Sequence, residues 1–183
     1  SIGMLGSAFF IGYSVSCLFI PRLADIYGRR WPYVISLWVQ VGAYVGLLLS
    51  KNLIGNILLI LLFGLCGAGR STIGFLYLIE LMPVYYKRMI GTLNSAFNAL
   101  VFTISAFFFW YISKNTQYIL LIGTILNIFV SIGIIWLPES PEFLHDAKQF
   151  DKARDVLKYI NRFNGASSSI NISSIVFLRE YEI

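Results

Sequence analysis

Charged residues that could pair with one another are concentrated in the segment PRLADIYGRR, residues 21–30, between two long apolar runs. Asp25, Arg29 and Arg30 could form ion pairs or bind helix ends, because carboxylate and guanidinium groups offer complementary acceptors and donors. Other charged groups follow later apolar runs, namely Glu80, Lys87, Arg88 and Glu139. The chemistry that these residues favour is electrostatic pairing rather than the making of bonds.

Residues suited to catalysis or metal binding are scarce. His145 is the single histidine, and the sequence holds no cluster of His, Cys, Asp or Glu at metal-ligand spacing. The segment GLCGAGRS imitates a phosphate loop through Gly64, Gly69, Arg70 and Ser71, but such a loop follows a strand in a soluble sheet. Small residues in apolar sequence are better explained by close packing of membrane helices. We therefore predict no enzyme activity, no cofactor and no metal site.

The composition of the chain predicts that the charged residues are positioned by membrane-spanning helices. Of the 183 residues, 57% are hydrophobic and 13% are charged, against about 25% charged in a typical soluble domain. Five apolar runs each approach the roughly 20 residues that cross a bilayer as a helix. The predicted spans are 1–21, 31–50, 53–82, 89–113 and 117–137. Residues 1–137 are thus predicted to form a transmembrane bundle in an all-α protein whose first partner is the lipid bilayer.

The distribution of lysine and arginine predicts the orientation of these spans. Odd-numbered spans all end on the same side of the membrane. Eleven of the 14 basic residues lie on that side, in the segments that follow spans one and three or in the tail after span five. Only Lys51 and Lys114 lie on the opposite side. Basic residues near span ends are retained in the cytoplasm, so the C-terminal tail is expected there. The net charge of +5 then reflects topology, and no nucleic acid is expected as a partner.

Residues 138–165 differ in character from the spans and predict an amphipathic helix at the cytoplasmic face. Ser140 is a suitable N-cap, Pro141 suits the first helical position, and apolar residues recur at helical spacing to Phe163. We expect one helix over 141–163 that lies roughly in the membrane plane. Residues 166–183 are rich in serine and are predicted to be a flexible tail.

The two faces of this amphipathic helix are predicted to have different surroundings. Phe150, Leu157 and Ile160 are expected to pack against the inner end of the bundle. Lys152, Arg154 and Lys158 are expected to face water or lipid headgroups.

Three polar residues within the spans are candidates for contact with a solute. Arg70 lies near mid-depth in the third span, where an unpaired charge costs at least about 2.5 kcal/mol, so we expect it to face the bundle interior or a watery cavity. Neutralisation by backbone carbonyls or by a carboxylate of further helices is an equal alternative. Asn94 and Asn98 share one face of the fourth span and could line the same cavity or hold helices together.

Three motifs, in order and spacing, resemble the major facilitator superfamily. RLADIYGRR resembles the G-x-L-A-D-R-x-G-R-R/K loop between the second and third helices of that superfamily. ELMPVYYKR is similar to the signature that ends its fourth helix, and PESPEFL is similar to the P-E-S-P-R-[FW]-L after its sixth. The organic-ion transporters are the most similar branch, with sugar porters nearby. The resemblance covers helices two to six, and the chain begins directly in apolar sequence, so it looks like part of a larger protein.

The resemblance implies a secondary transporter that moves a small organic solute by alternating access. It also implies a cytoplasmic gate in which Asp25 and Arg29 form ion pairs and helix-end contacts, while Gly28 permits a tight turn. The expected partners are the solute and the missing helices of the same transporter or other membrane subunits.

Odd-numbered spans end on one side, which brings the remaining gate residues to the same face. We predict that Glu80 pairs with Arg29 or Arg30, that Glu139 lies close to Lys87 or Arg88, and that Asp25 stays free for another helix end.

Four positions depart from the pattern of the superfamily. Pro21 replaces a glycine, Ile26 replaces a basic residue, Glu142 reverses the charge of an arginine, and Ile60 stands where organic-cation relatives have an arginine. A second hypothesis therefore stays open, in which the chain is a transport-inactive relative retained as a structural subunit of a membrane complex.

Overall fold

The long apolar runs of the chain form long helices in the computed structural model, which describes residues 2–112 and 114–163. The helices are α1 Ile2–Tyr27, α2 Arg30–Leu49, α3 Leu53–Ala68, α4 Gly74–Glu80, α5 Val84–Tyr111, α6 Thr116–Ile135, α7 Pro141–Asp146 and α8 Phe150–Phe163. A π-helical turn, Gly69–Ile73, joins α3 to α4 without a break in the helix. The described residues contain no strand.

Among the described residues, five helical segments are long and apolar enough to cross a membrane. They are α1, α2, the continuous helix from α3 to α4, α5 and α6. The chain is therefore an all-α, multi-pass membrane protein, as the composition predicts. The serine-rich tail predicted at 166–183 lies outside the described residues.

The first span is longer than the sequence indicates. α1 continues through Pro21 and includes Asp25, where the sequence suggests a loop after residue 21. Because α2 starts at Arg30, only Gly28 and Arg29 connect the two helices. Gly28 has a φ of +100°, a left-handed conformation that glycine adopts without steric cost. The tight turn implied at Gly28 is therefore present.

The start of the fourth span is also different from the prediction. α5 begins at Val84 rather than at residue 89, so Lys87 and Arg88 lie in a helix and not in a loop. Pro83 directly precedes the helix, in an extended conformation that ends the preceding turn. A helix start predicted from apolarity alone misses the first turn of α5, because that turn contains charged residues that are already helical.

α1 and α3 pack closely because glycines on both helices remove side chains at the crossing point. A Cβ added at Gly12 would collide with the carbonyl oxygen of Leu61, and one added at Gly64 would collide with that of Phe9. The hydroxyl of Ser16 also donates to the carbonyl of Leu65 across this interface. Close approach of small residues is the main source of helix association where lipid removes the hydrophobic driving force.

α2 packs against α3 on one side and against α6 on the other, and so joins the spans into one bundle. Its buried residues include Ser36, Leu37 and Gln40. α5 differs from the other spans, because none of the residues in its most apolar stretch is buried. The described residues therefore form a packed group of α1, α2, α3 and α6, with α5 open to its surroundings.

The predicted single helix over 141–163 is wrong, because α7 and α8 are separate. Lys148, between them, has a φ of +59°, and the amide of Gln149 donates to the carbonyl of Leu144. Leu144 and Phe150 are both buried. Six residues along one continuous helix would point these side chains about 120° apart, so the turn is needed to direct both inward.

The start of α7 is as predicted. The Ser140 hydroxyl accepts from the amide of Phe143, and Pro141 is in the first helical turn. On α8, Phe150 is buried and Leu157 and Ile160 are partly exposed, whereas Lys152 and Lys158 are exposed. Arg154, predicted on the same outward face, is only partly exposed. The predicted faces thus hold for Phe150, Lys152 and Lys158, whereas packing of Leu157 and Ile160 against the bundle stays a prediction.

Candidate functional site

Arg29 lies at the centre of a group of charged side chains where α1, α2 and α4 meet. Its Nε is 3.2 Å from Oε1 of Glu80, and its Nη1 is 3.0 Å from Oδ1 of Asp25. Nη1 also donates to the carbonyl of Ala24 at 2.9 Å. One guanidinium thus binds the end of α1 and the end of α4, which is possible because its donors point in several fixed directions.

The Arg29–Glu80 pair is largely shielded from solvent. The exposed fraction is 14% for the Arg29 side chain and 6% for that of Glu80, whereas Asp25 is 65% exposed. A buried carboxylate without a cation would be strongly destabilised, so the two groups depend on each other. The predicted pairing of Glu80 with Arg29 or Arg30 is found with Arg29.

Glu139 binds the start of α2 through backbone amides. Its Oε1 accepts from the amides of Arg29 and Arg30, each at 3.0 Å, and from that of Ser140 at 3.0 Å. The first amides of a helix have no partner within the helix and carry a partial positive charge. Glu139 therefore caps α2 from a distant part of the chain, in place of a local N-cap side chain.

Two further contacts join the end of α6 to the same region. The guanidinium of Arg30 donates to the carbonyl of Ile135, and the hydroxyl of Tyr77 donates to the carbonyl of Pro138. We refer to Asp25, Arg29, Arg30, Glu80 and Glu139 as the charged cluster. It connects the ends of three spans at one face of the bundle.

Two of the predicted partners are wrong. No ion pair joins Glu139 to Lys87 or Arg88 in the part of the chain that the structure describes, and Lys87 pairs with Glu142 instead. The amides at the start of α2 have no partner within the helix and donate to Glu139, whereas side-chain charges alone favour a basic residue as its partner. Asp25 was expected to stay free, but it pairs with Arg29 one helical turn away.

Arg70 lies on the exposed side of the π-helical turn. Its guanidinium carbon is 5.8 Å from the centre of the Phe63 ring, a cation–π contact. The neighbouring Ser71 hydroxyl lies 3.2 Å from that of Tyr13 on α1. π-helical turns within α-helices are frequent at functional sites. Within this turn Arg70 and Ser71 are exposed, whereas Gly69 and Ile73 are buried.

The structure does not bring Asn94 or Asn98 to Arg70. Both asparagines are exposed on α5, and the Asn98 amide donates to the Asn94 carbonyl of its own helix at 2.8 Å. Among the described residues, no hydrogen bond joins either of them to Arg70. A shared cavity of these three residues stays a prediction.

Several residues of the site were missed by the sequence reasoning. Tyr77 lies one turn before Glu80 on the same helix face, a spacing that could have marked it, but a tyrosine there is also common in a core. The charge of Glu142 favours its place in the first turn of α7 and departs from the motif, but neither observation predicts its pairing with Lys87. The carbonyl of Ile135, which accepts from Arg30, could not be predicted, because every residue has a backbone carbonyl and none is marked by its side chain.

A comparison with known protein families shows to which family the chain with this charged cluster belongs. The family described as "Sugar (and other) transporter" matches residues 1–174, nearly the whole chain. The chain belongs to this family. The membership confirms the resemblance to the major facilitator superfamily.

The curated relatives of this chain come from both of the branches that the motifs suggest, the organic-ion transporters and the sugar porters. "Solute carrier family 22 member 2" of Rattus norvegicus is 22% identical over 90% of the chain and 30% of its own length. "Glucose transporter GlcP" of Staphylococcus epidermidis is 28% identical over 85% of the chain and 35% of its own length. "Major myo-inositol transporter IolT" of Bacillus subtilis is 23% identical over 99% of the chain and 40% of its own length. The chain thus spans less than half the length of these relatives.

Proposed function

We propose that this chain forms part of a secondary transporter that carries a small organic solute, an organic ion or a sugar-like molecule, by alternating access. The observation that supports this most directly is the charged cluster, in which Arg29, Glu80 and Glu139 join the ends of α1, α4 and α6 to the start of α2. Family membership supports the same function.

The cluster suits a gate because it joins rigid helices through ion pairs and hydrogen bonds, which can break and form again with other partners. A transporter rocks two bundles about a central site, so contacts at one end must form in one state and break in the other. Asp25 is well exposed even though it pairs with Arg29, and it is open to a helix end of a second bundle. In this proposal Arg29 binds both Asp25 and Glu80 in one state of the transporter. In the other state Asp25 leaves Arg29 and binds a helix end of the second bundle.

In this proposal the charged cluster faces the cytoplasm, as the excess of basic residues on that side favours. The test uses an impermeant maleimide on intact cells, with Cys17 and Cys66 changed to serine. The Lys51→Cys variant should be labelled and the Lys148→Cys variant should be labelled only after the cells are made permeable. The reverse pattern would place the cluster outside.

The solute is proposed to contact Arg70, with Asn94 and Asn98 as further candidates. Arg70 is exposed near mid-depth in its span, next to the hydroxyls of Ser71 and Tyr13. These groups offer hydrogen-bond donors to a hydroxylated or anionic solute. Two of the relatives are named for glucose and myo-inositol, so both compounds belong in the first set to be tested.

The deciding experiment measures flux through the whole protein in proteoliposomes. Radiolabelled glucose, myo-inositol, benzoate and tetraethylammonium are each tested for saturable uptake and for exchange against unlabelled solute. In a transporter, Glu80→Gln should shift the balance between the inward-open and outward-open states and change the exchange rate. Asp155→Asn is the matched control, because Asp155 is an exposed carboxylate on α8, outside the charged cluster.

A structural subunit that no longer transports is the second candidate, and it is favoured by the charge reversal at Glu142. Such a protein would show no saturable flux for any solute of the set. Glu80→Gln would then lower the amount of assembled protein in the membrane and leave flux at background, so the two candidates give opposite results.

A further inference from the structure

The guanidinium of Arg29 lies against an aromatic ring from α7. Its carbon Cζ is 5.2 Å from the centre of the Phe143 ring, within the roughly 6 Å over which an aromatic face attracts a cation. The ion pairs of Arg29 use Nε and Nη1, which lie at the edge of the planar guanidinium. Contact with a ring is therefore compatible with both ion pairs, because arginine stacks on aromatic rings through its flat face.

The ring belongs to the same segment that binds the backbone of Arg29. Glu139 accepts from the amide of Arg29, and the hydroxyl of Ser140 accepts from the amide of Phe143. Ser140 is fully buried, so the turn that carries Phe143 is packed into the protein. This segment thus contacts Arg29 twice, at the backbone through Glu139 and at the side chain through Phe143.

The turn between α1 and α2 also packs against the ring. A Cβ added at Gly28 would lie 3.2 Å from Cε1 of Phe143, whereas carbon atoms in contact are normally about 3.5–4.0 Å apart. The absence of a side chain at Gly28 therefore makes room for the ring beside Arg29.

The two carboxylates that bind Arg29 differ in how easily they can leave it. Asp25 is 65% exposed, and it lines a cavity of about 280 Å³ together with Arg29 and Phe143. Glu80 is only 6% exposed. When Asp25 leaves Arg29, as the proposed gate requires, Glu80 and the Phe143 ring remain as partners of the guanidinium.

We propose that Phe143 is a positioning residue of the gate, whose ring keeps the guanidinium of Arg29 at Glu80 while Asp25 changes partners. The inference deepens the proposed function and rests on it, because it assigns a role within that gate. The competing explanation is that the ring only fills space. The two explanations differ in one respect, since only a cation–π contact depends on the negative charge of the ring face.

The test uses the whole protein with Phe143 replaced by phenylalanines that carry one, two or three fluorine atoms, which withdraw charge from the ring face with little change of shape. The melting temperature in nanodiscs should fall with each added fluorine, by at least about 2 °C in total. Phe75 is the matched control, because it is also partly buried and no guanidinium lies over its ring in the described structure. An equal fall at both positions, or no fall at Phe143, would overturn the proposal.

The dependence on the cation is tested in the double variant Arg29→Gln with Glu80→Gln. This variant removes the guanidinium without leaving a buried carboxylate unpaired. Fluorination of Phe143 should then have no effect on the melting temperature, and a fall of the same size without the cation would contradict the proposal. The comparison with Phe75 still decides if this variant fails to fold.

The rate of solute exchange in proteoliposomes is a readout that space filling alone would not change with fluorine number. The rate should change stepwise along the Phe143 series and in the same direction as in Glu80→Gln, because both changes weaken the contacts of Arg29. A constant rate along the series would contradict a role of Phe143 in the gate. Absence of exchange in the unmodified protein would contradict the proposed function, whereas the melting temperatures would still test the contact with Arg29, so the two failures are distinguishable.

Discussion

Arg29 and Glu80 are 51 residues apart in sequence, and their side chains meet with Nε 3.2 Å from Oε1 at the junction of α1, α2 and α4. The same guanidinium binds Asp25 and the carbonyl of Ala24, so the contact fixes the end of α1 as well as that of α4. Its removal affects both helices.

Arg29→Ala should strongly destabilise the protein, because it leaves the carboxylate of Glu80 buried without a cation. Loss of one partner of a buried pair typically costs about 3–5 kcal/mol. Arg29→Lys should recover only part of the stability, since one ammonium group cannot reach Asp25, Ala24 and Glu80 in the same geometry. Thermal unfolding in nanodiscs gives the comparison, with Arg162→Ala as a control on an exposed arginine. An equal melting temperature for Arg29→Ala and the control would contradict the central role of Arg29.

Gly28→Ala should also be destabilising, for two independent reasons. The φ of +100° is unfavourable for alanine by about 1–2 kcal/mol, and a Cβ there would lie 2.6 Å from Oε2 of Glu139. Gly42→Ala is the matched control, because a Cβ at Gly42 meets no atom within 4 Å. The control should be neutral or slightly stabilising, as alanine is the better helix former. A Gly28→Ala variant as stable as the control would show that the turn readily adopts another conformation.

Gly64→Ala tests the packing of α1 against α3. A Cβ at this position would collide with the carbonyl of Phe9, a backbone atom that cannot move without displacement of a helix. We expect less folded protein in the membrane and a lower melting temperature. Gly123→Ala should have neither effect, since Gly123 has open space around it. Similar yields for both variants would mean that the two helices are not in contact at this point.

Lys87 and Glu142 offer a charge-reversal test of the contact between α5 and α7. Glu142→Arg places two cations together and should lower stability, whereas Lys87→Glu with Glu142→Arg restores an opposite pair. Because Glu142 is 52% exposed, the coupling energy should be small, about 0–1 kcal/mol. A double-mutant cycle on thermal unfolding measures it. No recovery in the double variant would indicate that the two side chains act independently.

Arg70→Gln should reduce uptake of an anionic or hydroxylated solute in proteoliposomes at least about tenfold, because the guanidinium is the strongest donor on the exposed side of the π-helical turn. Folding should be little changed, since the side chain is exposed. Lys51→Gln, outside the spans, is the control. Full uptake by Arg70→Gln would remove Arg70 from the solute path.

The positions of the spans and the meeting of Glu80 with Arg29 could be predicted, because both follow from apolar length and from the side on which each span ends. The partner of Glu139 could not, since it depends on unpaired amides at the start of α2, which every helix has and no residue type marks. The break at Lys148 is set by the burial of Leu144 and Phe150 together, a tertiary requirement. Gly69, the first residue of the π-helical turn, lies so close to Ser36 on α2 that an added Cβ would collide with its hydroxyl, and helical periodicity does not reveal such a distance.

The cap that Glu139 provides for α2 has a consequence for biosynthesis. The amides of Arg29 and Arg30 are made more than a hundred residues before their acceptor. During translation α1 and α2 therefore leave the ribosome with this turn incomplete, and the turn stays incomplete until the last of the five spans has been inserted. Glu139 can therefore complete this turn only late in synthesis. A nascent chain that stops before this residue should expose the unfinished turn to the quality-control machinery of the membrane.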